Sequence, residues 1–184
     1  MAATSLHLDN YFNAIDFTLF CPINQNFISY KNAKGQKGTL ICFVCNHCPY
    51  VVHIADKLGE LSLLFKKNGI SIIAVNSNDY KRYPEDSPEK MILFAQKHSW
   101  TFPYLYDSDQ STAKAYSAQC TPEFFLFNQE DRLYYHGQFD ETRPNSSSVA
   151  HGSDLVIAVE SLLRGMPKPL NQKPSIGCSI KWTI

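Results

Sequence analysis

The chain has 184 residues, of which 44% are hydrophobic, and this length and composition suit one globular domain, residues 1–184, with a sizeable core. Lysine plus arginine equals aspartate plus glutamate at 17 each, which argues against a dedicated binder of nucleic acid or of a membrane surface. No apolar run is long enough to cross a bilayer. Residues 1–10 have neither the basic nor the apolar region of a signal peptide, which predicts a cytoplasmic protein.

The first half of the chain predicts a strand–helix–strand unit. Four segments have the composition of strands: residues 17–19, 27–30, 39–44 and 70–75. A polar turn over residues 31–38 precedes the third strand. Between the last two strands, apolar residues recur at helical spacing, with Pro49 in the first turn and Asn68-Gly69 at the end. Two parallel strands joined by a helix form a right-handed βαβ unit.

The second half predicts three more helices and a hairpin. Ser87 caps a helix that runs to about His98, residues 107–116 carry a short helix, and Ser153 caps a last helix that ends at Gly165. The predicted strands are residues 102–106, 123–127 and 132–137, the last two forming a hairpin. Residues 167–184 contain three prolines and are predicted to be an irregular tail.

The motif Cys45-Asn46-His47-Cys48 lies where the third strand meets the first long helix. With the first helical turn between them, the two sulfurs can form one short disulfide, and the positive end of the helix favours thiolate over thiol. In a reducing compartment, closely spaced cysteines are more often catalytic or metal-binding than structural. The motif therefore predicts a redox-active pair.

This order of elements resembles the thioredoxin fold, an α/β class with three α/β/α layers and a central mixed sheet. Its details are similar to the peroxiredoxin-like branch, which includes AhpC/TSA and TlpA/ResA-type proteins and carries an N-terminal extension and an insertion. Residues 14–19 resemble the branch's ApdFxL segment, and residues 70–76, followed by a helix and residues 102–107, resemble its inserted segment. Thr121-Pro122 resembles the cis-proline loop, and residues 134–137 resemble the strand after it. The resemblance covers residues 14–165.

The resemblance implies a thiol–disulfide oxidoreductase in antioxidant defence or thiol homeostasis, without a cofactor. Cys45 would attack a substrate disulfide and Cys48 would resolve the mixed disulfide. His47 would either stabilise the thiolate or be an exposed histidine at the helix end. A cis Thr121-Pro122 bond would present the Thr121 backbone to an extended substrate. Substrates would be protein or low-molecular-weight thiols and disulfides, with a reductant that the sequence does not identify.

The other four cysteines have different predicted roles. Cys120 precedes Thr121 and is expected near the pair, as an alternative resolving cysteine, a regulatory thiol or a small buried residue. Cys178 lies in the predicted tail, which could fold back to resolve a sulfenic acid. Cys21 and Cys42 have no evident partner, and Cys42 is expected in the core.

One alternative is a thiol-dependent peroxidase acting on peroxides. Cys48 occupies the peroxidatic position of the resembled family, but Cys45 replaces the expected threonine and Ile41 the expected proline. The surroundings of Arg143 also do not match the family's arginine. The sequence thus points away from a dedicated peroxidase, with slow peroxide reduction left open.

A second alternative is a metal-binding or redox-sensor module without turnover. Its ligands would be Cys45, His47, Cys48 and Cys120 around zinc or copper, although only the first pair has ligand spacing, so the predicted metal complement is none. A nearby run of acidic residues is expected to form a solvated face: Asp79, Glu85, Asp86 and Glu89.

Overall fold

The structure is a computed structural model that describes residues 2–8 and 12–183. The strands are β1 Ala2–Thr4, β2 Thr18–Cys21, β3 Asn26–Ser29, β4 Gly38–Phe43, β5 Ile70–Asn76, β6 Tyr104–Tyr106, β7 Cys120–Thr121, β8 Glu123–Asn128, β9 Leu133–Gly137 and β10 Ile176–Ser179. The helices are α1 Tyr30–Ala33, α2 Pro49–Lys67, α3 Pro88–Lys97, α4 Ser111–Ala115 and α5 Ser153–Leu163, with a 3₁₀ turn over Pro84–Asp86. The predictions of a single domain over 1–184 and of no signal peptide in 1–10 extend to residues outside the described ranges.

The main sheet has seven strands in the order β3-β2-β6-β5-β4-β8-β9. Its central strand β4 is parallel to β5 and antiparallel to β8, which confirms the predicted βαβ unit and mixed sheet. All six residues of β4 are buried, because helices cover both faces. Leu40 and Cys42 pack with α2, α3 and α5, whereas Ile41 and Phe43 pack with α4. These are the three expected layers, and Cys42 lies in the core as predicted.

Helix α2 holds one end of the cysteine motif in place. The six residues of its predicted apolar stripe are all buried: Val51, Ile54, Ala55, Leu58, Leu61 and Phe65. Burial of each of the five side chains larger than alanine stabilises the fold by roughly 1.5–3 kcal/mol. Pro49 is the first helical residue and Asn68 the C-terminal cap, followed by Gly69 at φ +84°, so both predicted ends are confirmed.

The predicted caps of the two later helices differ in outcome. The Ser87 hydroxyl accepts a hydrogen bond from the Lys90 N–H, so this serine caps α3 as expected. Ser153 is instead the first residue of α5, and Gly152 at φ +70° is the cap. The Gly152 N–H donates to the Asp140 carboxylate at 2.7 Å, so a distant side chain fixes this helix start.

The prediction of an irregular tail over residues 167–184 is wrong at one segment. Strand β10 lies in it and forms a second, three-stranded sheet in the order β1-β10-β7. Local sequence does not reveal this strand, because it is stabilised by pairing with β7, more than fifty residues earlier in the chain. No helix of residues 2–8 and 12–183 combines the length and hydropathy needed to cross a membrane.

Candidate active site

The Cys45-Asn46-His47-Cys48 motif forms the loop between β4 and α2, at the predicted junction. The expected helical turn between the two cysteines is absent, however, because α2 begins at Pro49 and Cys48 is its N-terminal cap. Cys48 has extended backbone angles, φ −68° and ψ 123°. A residue before proline is pushed out of the α region by the proline ring, which explains the later helix start.

The peptide bond between Thr121 and Pro122 is cis, as predicted, and it places Thr121 against both sulfurs. The Thr121 Oγ1 lies 3.4 Å from Cys45 Sγ, and its carbonyl oxygen lies 3.0 Å from Cys48 Sγ. Both cysteines are free thiols and are 1% and 0% exposed, respectively. The structure thus brings together the dithiol and the cis-proline loop that the sequence predicted separately.

Two observations assign the charge within the Cys45–Cys48 pair differently. The hydrogen bond between the two sulfurs lowers the pKa of Cys48 to about 5 and, with burial, raises the pKa of Cys45. The Thr121 carbonyl oxygen, however, only accepts, so Cys48 at 3.0 Å must donate its S–H. A thiolate there would face an oxygen lone pair with no proton between them. The directional contact places a proton on Cys48, and the Thr121 hydroxyl can donate to Cys45.

His47 is held by a buried carboxylate. Its Nδ1 lies 2.6 Å from Asp86 Oδ2, and its ring stacks on Tyr83 at 5.7 Å with an interplanar angle of 2°. The hydrogen bond to Asp86 raises the pKa of His47. A protonated His47 therefore adds positive charge beside the dithiol, which favours thiolate. The expectation of a merely exposed histidine does not describe this arrangement.

Asp86 is the residue that the sequence reasoning missed. It was expected on a solvated face, but its side chain is 0% exposed and accepts from the Asn46 N–H and from Asn78 Nδ2, both at 2.8 Å. Asp79 is also buried, whereas Glu85 and Glu89 are exposed as expected. The 3₁₀ turn folds Asp86 over the motif, and no local sequence signal announces that contact.

Cys120 is next to Thr121 in sequence, but its side chain points elsewhere. Successive residues of a strand face opposite sides, so its side chain and that of Thr121 diverge. The Cys120 Sγ lies 3.8 Å from Glu123 Oε2 and 3.9 Å from the Ser175 carbonyl oxygen. Burial and the Glu123 charge raise the pKa of Cys120, which disfavours a reactive thiolate. Of its three expected roles, this environment favours the buried residue.

Cys178 lies next to the dithiol, on β10. It pairs directly with Thr121 across the β10–β7 ladder, and it is only partly buried. Its sulfur and that of Cys48 are close enough to interact: burial, then hydrogen bonding with Cys48, raises the pKa of Cys178 to about 11. The structure therefore places a third sulfur at the site, on a strand rather than on an irregular tail.

The donor atoms that cluster at the site differ from the predicted set of metal ligands. Among the described residues, the donor atoms of Cys45, His47 and Asp86 lie within 4.8 Å of one another. Cys48 and Cys120 are not part of this group, so the predicted four-ligand set is not assembled. Three donors suit a partial site, but His47 and Asp86 are already paired with each other at 2.6 Å.

The surroundings of Arg143 do not supply the missing peroxidase arginine. Its guanidinium donates to the carbonyl oxygens of Asp140 and Thr142 and to Gln138 Oε1. These contacts hold the loop after β9 and involve neither cysteine of the motif. The geometry thus agrees with the sequence in pointing away from a dedicated peroxidase.

Comparison with known sequences yields a family and a named relative. The model of the AhpC/TSA family matches residues 13–136. The thiol-disulfide oxidoreductase ResA of Geobacillus kaustophilus (strain HTA426) is 29% identical over 97 residues, which are 53% of this chain and 52% of that protein. The chain thus spans about half the length of this curated relative.

Solved structures resemble the chain over most of its length. A crystal structure of an uncharacterized conserved protein from Geobacillus kaustophilus has 43% identity and a TM-score of 0.96, covering 100% of this chain and 97% of that one. A secreted disulfide oxidoreductase from Mycobacterium tuberculosis has 15% identity and a TM-score of 0.60, covering 79% and 95%, respectively. This last likeness concerns the fold alone, and such neighbours confirm the predicted thioredoxin-like fold.

Proposed function

The chain belongs to the AhpC/TSA family, and we propose that it is a thiol–disulfide oxidoreductase in which Cys45 and Cys48 alternate between dithiol and disulfide. One observation carries this proposal: two free thiols from a strand–helix loop both contact Thr121, the residue before a cis-proline. The name of the partly matching relative, a thiol-disulfide oxidoreductase, supports it.

The proposed reaction begins at Cys45. Its thiolate attacks one sulfur of a substrate disulfide, forms a mixed disulfide and releases the other substrate sulfur as thiolate. The negative charge on Cys45 then disappears, so Cys48, at the N-terminus of α2, loses its proton more readily. The Cys48 thiolate attacks Cys45, which forms the Cys45–Cys48 disulfide and releases the second substrate thiol. Two external thiols later return the two electrons.

The substrates proposed are protein or low-molecular-weight disulfides. The thiol at residue 45 favours disulfides over peroxides, because a dithiol can release a mixed disulfide without a sulfenic acid. A reductant of the thiol class completes the cycle. The cytoplasmic location stays a prediction from the N-terminal sequence.

Trapping of thiols and disulfides tests the proposal. Reduced protein is mixed with oxidised glutathione, quenched in acid, alkylated with N-ethylmaleimide and mapped by mass spectrometry. We expect a Cys45–Cys48 disulfide in the wild type and in the control Cys21→Ser, whose residue lies in β2 outside the site. If Cys45→Ser forms the glutathione adduct as fast as the wild type, Cys45 is not the nucleophile. A wild type without that disulfide contradicts the proposed function.

A further inference from the structure

Strand β10 occupies the backbone edge that lies beside the dithiol. An open strand edge is a template for an extended peptide, and Thr121 on β7 is the residue expected to present its backbone to such a peptide. Here β10 pairs antiparallel with β7, so that Cys178 is opposite Thr121 and Ser179 is opposite Cys120. A segment of the chain itself thus lies where an extended peptide would pair, and its Cys178 interacts with Cys48.

The docking of β10 depends on a glycine. A Cβ at Gly177 would lie 2.0 Å from the Thr121 carbonyl oxygen and 2.6 Å from its carbonyl carbon. Such distances exclude any side chain while β10 holds this position. The close approach of β10 to the cis-proline loop therefore requires the glycine at residue 177, immediately before Cys178.

The residues after β10 fix its position from the other side. The Ile180 N–H donates to the Gln119 carbonyl oxygen at 3.2 Å, and the Lys181 N–H donates to Asn78 Oδ1 at 2.8 Å. Asn78 also donates to Asp86, the carboxylate that holds His47. The strand with Cys178 is thus connected to the same network as the dithiol.

We propose that β10 occupies the position of a substrate strand and that Cys178 exchanges with the Cys45–Cys48 disulfide. This exchange carries oxidising equivalents from the buried pair to the surface. This inference rests on the proposed function. Cys45 and Cys48 are 1% and 0% exposed, whereas Cys178 is only partly buried. An external thiol therefore reaches Cys178 before it reaches either member of the pair.

The exchange conserves atoms and electrons. The Cys178 thiolate attacks Cys48 Sγ, the Cys48–Cys178 bond forms, the Cys45–Cys48 bond breaks, and Cys45 leaves as thiolate. An external thiol then attacks Cys178 Sγ and releases Cys48. A second external thiol attacks the resulting mixed disulfide, so two external thiols become one disulfide and Cys48 and Cys178 are reduced again.

Oxidation of the pair also prepares Cys178 for this attack. After burial, the hydrogen bond with Cys48 raises the pKa of Cys178, and Lys181 lowers it. In a Cys45–Cys48 disulfide the Cys48 sulfur is a weaker hydrogen-bond partner. Cys178 therefore ionises more readily when the pair is oxidised, which is the state in which its thiolate is needed.

The first test uses the Cys45→Ser variant, in which Cys48 cannot form a disulfide with residue 45. After reaction with oxidised glutathione, acid quenching and peptide mapping, we expect a Cys48–Cys178 disulfide. The matched double variant Cys45→Ser/Cys178→Ser should instead retain glutathione on Cys48. Adding Gly177→Ala to Cys45→Ser keeps Cys178 and displaces β10, so the disulfide should form about tenfold more slowly. Absence of the Cys48–Cys178 disulfide in Cys45→Ser overturns the relay.

A second test uses a variant that keeps the dithiol. Oxidised Cys178→Ser should be reduced by glutathione about tenfold more slowly than oxidised wild type, with oxidised Cys21→Ser equal to wild type. Equal rates overturn the relay. A wild type that forms the Cys45–Cys48 disulfide but shows equal rates leaves the proposed function intact, whereas a wild type that never forms it contradicts both. Near-ultraviolet circular dichroism confirms that each variant is folded.

Discussion

The Sγ atom of Cys48 lies 3.0 Å from the carbonyl oxygen of Thr121, the residue that precedes the cis-proline. The same residue presents its hydroxyl to Cys45 at 3.4 Å. Thr121 thus makes a different contact with each sulfur, because its carbonyl oxygen only accepts a hydrogen bond whereas its hydroxyl group can donate one. The difference favours the thiolate at Cys45, the nucleophile of the proposed reaction.

Replacing Thr121 with valine is expected to slow the reaction of Cys45. Valine keeps the carbonyl group and the branched shape but removes the hydroxyl that donates to the thiolate, so the pKa of Cys45 should rise. The rate of alkylation by iodoacetamide at pH 7 should fall by roughly threefold to tenfold, in line with one lost hydrogen bond. Thr101→Val, at an exposed position, is the control. An unchanged pH profile of alkylation would assign the thiolate elsewhere.

The pairing of His47 with Asp86 should make stability depend on pH. The hydrogen bond raises the folded-state pKa of His47 above its ordinary 6.5, so its contribution is complete below about 6.5 and is lost as pH rises through the folded value. Urea unfolding between pH 5 and 9 should show His47→Gln less stable than wild type at pH 5 by about 1 kcal/mol, with the difference shrinking above neutrality. His7→Gln, at an exposed histidine, should match the wild type throughout. A difference that grows with pH would contradict the pairing.

The parts of the fold predicted from sequence are those with local causes. The apolar stripe of α2, the Ser87 cap and the buried run of β4 each follow from residues close together in the chain. Asp86 and β10 depend on partners far away in sequence. Tertiary contacts decide whether a carboxylate is solvated and whether a short segment pairs as a strand. Those contacts cannot be inferred from the local sequence of one chain.

The candidate site divides in the same way. The dithiol, His47 and the Thr121-Pro122 loop were found from spacing and resemblance. The start of α2 after Cys48 was missed although Pro49 signals it, because a residue before proline avoids the helical region. The sequence allowed Cys178 to fold back to the site from an irregular tail, but it gave no signal for strand β10, which brings this cysteine to the dithiol.

Purified protein is expected to contain far less than one zinc or copper ion per chain. The three clustered donors Cys45, His47 and Asp86 fall short of the four ligands of a structural zinc site, and two of them are bonded to each other. Elemental analysis of freshly purified protein checks this, and treatment with a chelator should leave the alkylation rate of Cys45 unchanged. A stoichiometric ion lost in Asp86→Ala would favour the metal-binding module over dithiol exchange.

Cys120→Ala is expected to keep the dithiol chemistry. The sulfur of Cys120 faces Glu123 and the Ser175 carbonyl oxygen rather than the pair, and burial raises its pKa. Reduction of a disulfide substrate should stay within about twofold of wild type, since no step uses this thiol. Loss of the buried sulfur should cost about 1 kcal/mol of stability, measured by urea unfolding. A large loss of activity at unchanged stability would instead make Cys120 a resolving cysteine.

Glu123→Ala should be among the most destabilising changes near the site. Its buried carboxylate accepts from the Gln119 and Cys120 N–H groups at 2.7 and 3.1 Å and lies 2.8 Å from His136 Nε2. Alanine leaves these partners buried without an acceptor, and each unsatisfied buried donor costs about 1–3 kcal/mol. Glu123→Gln keeps one acceptor oxygen and should lose less.

The Gln119 and Cys120 N–H groups lie directly before Thr121, so the effect of Glu123→Ala should reach the dithiol as well as the free energy of unfolding. We expect slower alkylation of Cys45 in the folded fraction of Glu123→Ala, because Thr121 is no longer held at both sulfurs. Urea unfolding and alkylation at matched folded fraction separate the two effects. If Glu123→Ala lowers stability while the alkylation rate of the folded protein equals that of wild type, Glu123 stabilises the fold without positioning Thr121.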